Sequence, residues 1–136
     1  MILSGNDKHK VHMTMLATAR AYAKRSLRAA SVELLKRGVN HISEQEFYNE
    51  AVEQTKRLAD KGCKETTMLA KGTLLLAIKD NQESNLPDES AYQAYADTYT
   101  FLVYATIYEA IKQAFNISDN INTLLESFNP ENPTIN

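Results

Sequence analysis

At 136 residues, with 43% hydrophobic content and a formal net charge of −2, the chain fits one domain and is long enough to bury roughly two-thirds of the surface its unfolded form exposes. Four Gly and three Pro mean few turns and therefore few, long elements, so an all-α fold is expected. Cys63 is the sole cysteine, which excludes an internal disulfide and a cysteine-based zinc site, and no apolar run reaches signal-peptide or membrane-spanning length, so a cytoplasmic chain without membrane contact is expected.

The first element runs from about Asp7 to Arg37, a stretch without Gly or Pro in which Val11, Met15, Ala19, Tyr22, Ala23, Ala30 and Leu34 recur at three- and four-residue spacing. That pattern predicts a helix of some thirty residues ended by Gly38. On this reading the apolar side chains gather on one face, and Lys10, Arg20, Lys24 and Arg28 form a stripe on the opposite one, together with the small residues Ala17, Ala21 and Ser31. Ser43-Glu44-Gln45-Glu46 is a capping box that starts a second helix, with Ile42 and Phe47 as its hydrophobic staple and Gly62 as its stop. A third helix is expected from about Lys64 to Lys79, with Met68, Leu69, Leu75, Leu76 and Ile78 toward the core. The segment from Asp80 to Glu89, with Pro87 inside it, reads as a loop.

A fourth long helix, from near Asp88 to Phe115, carries Tyr92, Tyr95, Tyr99, Phe101, Leu102, Tyr104, Ile107, Tyr108, Ile111 and Phe115 on more than one face. Aromatic density on several faces predicts the central helix of the bundle, its tyrosines in the core with hydroxyls at the rim, although Tyr92 or Tyr95 near its start is open to exposure. A short helix beginning near Ser118 buries Ile121, Leu124, Leu125 and Phe128. The whole is a single bundle of about five helices over residues 1–128, followed by a disordered tail over 129–136.

Charge is sorted along this order. Residues 1–37 hold eight Lys or Arg (Lys8, Lys10, Arg20, Lys24, Arg25, Arg28, Lys36, Arg37) against Asp7 and Glu33, whereas residues 80–136 hold nine acids against Lys112 alone. The small net charge is thus the sum of two opposed fields. Cations along a helix, with small side chains beside them, suit a nucleic-acid backbone, which they bind without regard to sequence and with strong salt dependence. Plain solvation of an exposed face, or an acidic protein surface, are the other readings. The acidic last third faces away from any nucleic acid, and opposed ends also suit head-to-tail copies of the chain.

Candidates for catalysis are few. His9 and His12 stand at i, i+3 but lack a third ligand of fitting spacing, and His41 stands alone after Gly38. Glu46, Glu50 and Glu53 share a helix face as carboxylate metal sites do, but no Glu-x-x-His pair accompanies them, so a solvated acidic face is expected. Cys63 beside Gly62 reads as a small residue at a tight junction. With no glycine-rich phosphate loop, nucleophile elbow or two-histidine zinc motif, the sequence predicts no enzyme, no metal and no cofactor.

A compact all-helical chain that opens on Lys8, His9, Lys10, Val11 and His12, followed by Arg20, Lys24, Arg25 and Arg28, resembles the small subunits of CRISPR effector complexes in architecture and charge layout over about residues 7–128. The resemblance implies a role in antiviral defence as a non-catalytic subunit of a ribonucleoprotein. Copies stacked in the complex would support the guide RNA–target duplex and the displaced DNA strand beside other subunits. Its basic surface would fall on Arg20, Lys24, Arg25 and Arg28, with Lys64 and Lys71 as further contacts. The overall acidity departs from that pattern and implies that binding depends on assembly. The rival expectation is a protein–protein adaptor or regulatory bundle that never touches nucleic acid and docks through the tyrosine-rich helix or the acidic end.

Overall fold

The structure of the chain, a computed structural model, describes residues 5–63 and 88–128. Among these residues the fold is all-α, with four helices: α1 (Gly5–Lys36), α2 (Glu44–Asp60), α3 (Asp88–Phe115) and α4 (Ile121–Ser127). The helix expected from Lys64 to Lys79 and the tail over 129–136 lie outside the described residues. So does the expected loop up to Pro87, while Asp88 and Glu89 already belong to α3.

Local sequence sets the ends of these helices. Both α1 and α2 stop in the same backbone motif. At the end of α1, Val39 N–H donates to Leu34 O at 2.9 Å and Gly38 N–H to Leu35 O at 3.0 Å. At the end of α2, Cys63 N–H donates to Leu58 O at 3.1 Å and Gly62 N–H to Ala59 O at 3.0 Å. The motif needs a left-handed residue in the middle, and Gly38 (φ 79°) and Gly62 (φ 63°) supply it. Ser43 caps α2 by accepting from Glu46 N–H at 3.2 Å, and its hydroxyl donates to the Glu46 carboxylate at 3.0 Å. The short last helix begins at Ile121 rather than near Ser118. Asn120 is its N-cap, accepting from the Thr123 N–H at 3.2 Å, while the Ser118 hydroxyl accepts from the Asn120 N–H at 3.0 Å just before it.

Among the described residues the helix with the most extensive packing is α1, which meets α2, α3 and α4. The tyrosine-rich α3 likewise meets the other three, so among the described residues the centre is shared by α1 and α3. The reason for α1's share lies in side-chain size. Ala19, Ala23 and Ala30 are fully buried on α1 and let neighbouring helices approach closely around Leu27. Val103, Ile107 and Ile111 of α3 and Phe47 and Ala51 of α2 complete the core. Tyr22 ties α1 to α2 by donating to the Thr55 carbonyl at 2.7 Å. At the far end Phe47 packs against Phe115 and Phe128, each with ring centroids 5.7 Å away. There the α1–α2 connection also pairs with the α3–α4 connection: Ile121 N–H donates to Asn40 O at 2.8 Å, beside an antiparallel bridge between His41 and Asn120.

Candidate nucleic-acid interface

Arg20, Lys24 and Arg28 stand one turn apart on α1, and all three are partly exposed. None of them forms an ion pair or hydrogen bond with another described residue. Ala17 and Ala21 lie exposed beside them. Arg25 is also exposed, about 100° round the helix from Lys24, and so stands off the line of the other three. Lys10 lies on the early turns of α1 with His9 and His12, where side chains are outside the described ones, and Lys64 and Lys71 lie outside the described residues altogether.

Two details of the expected stripe are corrected. Ser31 is not part of it: the side chain is fully buried and its hydroxyl donates to Leu27 O at 3.0 Å. Nor does Arg20 point away from the core side. It lines a groove of about 230 Å³ between α1 and α3 with Leu102, Ala105, Thr106, Glu109, Ala110 and Gln113. The cause is helical geometry. Arg20 and Leu27, like Lys24 and Ser31, are seven residues apart, almost two full turns, so each pair shares a line along the helix. Arg20 therefore stands at the edge of the buried face, overlooking α3, with Lys24 beside that edge, whereas Arg28, seven residues from exposed Ala21, lies on the outer side.

The aromatic residues of α3 also depart from expectation. Tyr99 is buried with its ring 6.4 Å from that of Tyr22, but Phe101 is 69% and Tyr108 48% exposed. Tyr48 of α2 meets Tyr108 edge-on at 6.2 Å, and the Lys112 ammonium sits 4.8 Å above the Tyr108 ring. A second cavity of about 230 Å³ opens there, lined by Glu44, Gln45, Tyr48, Tyr108, Ile111 and Lys112. The hydrogen bond with Tyr108 is the main cause that raises the Lys112 pKa above its ordinary value. Burial, and then neighbouring Tyr48, push the Tyr104 hydroxyl up. The exposed aromatics were missed because residues on several faces of one helix cannot all be inside.

Other candidate groups find ordinary partners. His41 Nδ1 lies 2.9 Å from Asp119 Oδ1, both exposed. Glu46, Glu50 and Glu53 do not form the expected solvated acidic face: Glu50 is buried and meets Arg37 at 2.9 Å, Glu46 serves the cap of α2, and Glu53 pairs with Arg57 at 3.7 Å. Cys63 is buried at the tight turn after Gly62. Among the described residues no cluster of three or more His, Cys, Asp or Glu is placed to hold a metal, and no helix is long and apolar enough to cross a membrane. Comparison with family models, with curated proteins and with solved structures finds no match.

Proposed function

We propose that this chain is a non-catalytic subunit that binds the backbone of RNA or single-stranded DNA, beside other protein subunits in a ribonucleoprotein of the CRISPR effector kind. The observation that supports this best is the line of Arg20, Lys24 and Arg28, each accessible and each without an acidic partner among the described residues. On a helix this spacing puts the cations about 6 Å apart on a rigid rod. Cations at that spacing can each meet a phosphate along one strand of a nucleic-acid backbone. The acids of residues 80–136, apart from Glu109 in the Arg20 groove, are what the chain offers to protein.

The test is fluorescence anisotropy with labelled RNA, single-stranded DNA and duplex over a salt series. Three cations on a single strand give a slope of log affinity against log salt of roughly −2, from about −0.7 per phosphate. Changing Arg20, Lys24 and Arg28 together to Glu abolishes binding while helicity and melting stay as in the parent. Binding that survives the triple change sinks the reading. The adaptor reading is favoured by the exposed Phe101 and Tyr108; a stoichiometric protein partner and a flat salt response are its signature.

A further inference from the structure

The outer face of α3 carries a ridge with a two-fold pattern. Asp97, Phe101, Tyr108 and Lys112 are all exposed. At 100° per residue they fall within roughly 60° of one another round the helix, along about four turns. The ridge is distinct from the Arg20 groove, whose α3 bank includes Leu102, Thr106, Glu109 and Gln113. Phe101 and Tyr108 stand at equal distances on either side of the midpoint between Tyr104 and Ala105, and Asp97 and Lys112 do the same farther out. Turned end for end against a copy of itself, this order of acid, ring, ring and base sets acid against base and ring against ring.

We propose that this ridge is the contact between two copies of the chain, with their α3 helices antiparallel about a two-fold axis through that midpoint. Asp97 of each copy then faces Lys112 of the other, and Phe101 of each packs on Tyr108 of the other. Charge complementarity selects the occupant. A closed two-fold contact needs a surface that complements itself, and a helix face with the same charge at both ends would repel its own copy. Phe101, 69% exposed, has apolar surface to bury there. Ala105, beside the axis, is small enough to let two helices come close. Tyr48 of α2 meets Tyr108 edge-on at 6.2 Å, and the Lys112 ammonium stands 4.8 Å above the same ring, so ring and cation are already held side by side in the single chain. A ridge of about 22 Å is short for an obligate dimer, so the pairing follows concentration. It does not depend on strand binding, because the residues it uses are not those of the α1 cation line.

Sedimentation equilibrium of the full chain, from about 1 μM to about 1 mM, reads a mass that rises from one chain toward two. Asp97→Lys and Lys112→Asp, taken singly, each turn both end pairs of the dimer into like charges and weaken it about tenfold or more. Mixed one to one, the two variants restore it, because both end pairs of the mixed dimer are again acid against base. Phe101→Ala weakens self-association and leaves helicity and melting as in the parent, since the ring is open to solvent in the single chain. A parent chain that stays single throughout overturns the proposal and leaves the ridge to a different protein. A dimer that is indifferent to both charge reversals overturns it too, as does a mixture of the two variants, each melting as the parent does, that fails to pair.

Discussion

At the scale of single residues, Arg37 shows how a cation of the basic end is committed inside the molecule. Its guanidinium reaches Glu33 at 3.2 Å on its own helix and Glu50 at 2.9 Å on α2, where Glu50 is only 8% exposed. Removing one partner of such a pair strands a shielded charge, which costs more than the pair itself contributes. Because the Arg37 end is half-exposed and water can enter, Arg37→Ala is expected to lower stability by about 1–2 kcal/mol. Adding Glu50→Gln recovers part of that loss. Urea unfolding of the single and double variants checks this, and strictly additive losses would show that the two residues do not act as a pair. Sequence spacing correctly put Glu46, Glu50 and Glu53 on one face. It carried no sign of which part of that face meets Arg37, since the contact joins positions on different helices.

At the scale of elements, legibility followed chemistry that is local in the chain. Gly38, Gly62 and the Ser43 cap marked helix ends in the sequence because the backbone needs those residue types there. The start of α4 lies three residues after Ser118, at the cap that Asn120 makes with the Thr123 N–H. The edge position of Arg20 was available in principle: it lies seven residues from Leu27, and a line shared with a fully buried leucine cannot be the far side of a helix. What no periodicity revealed was the exposure of Phe101 and Tyr108, which depends on where α1 and α2 meet α3. The seven-residue α4 is held chiefly by burial, with Ile121, Leu124 and Phe128 all fully enclosed. Phe128→Ala is expected to cost about 3–5 kcal/mol by opening a cavity against Phe47, with loss of α4 seen as early amide exchange over residues 121–128.

At the scale of the whole molecule, two described groups tie stability to alkaline pH. Tyr104 and Lys112 both have folded-state pKa values raised above their ordinary 10.0 and 10.5. As pH rises through that range the unfolded chain releases these protons first, so the folded state holds more of them and stability falls. Melting temperature should drop above about pH 10 on this account, and Tyr104→Phe should make the drop shallower; an identical profile in the variant would remove Tyr104 as a cause. The stitched connections near Asn40 and Ile121 carry a consequence in time. Their hydrogen bond spans a large sequence separation, and α4 is far too short to persist by itself in water. Docking of α4 must therefore wait until α1, α2 and α3 have assembled the seat for Phe128. A latch that engages last is absent from the folding barrier, so weakening it hastens opening and leaves the speed of refolding almost untouched. The end of the bundle is thus expected to set how long the folded chain survives and not how fast it forms, which the unfolding and refolding rates of Phe128→Ala check.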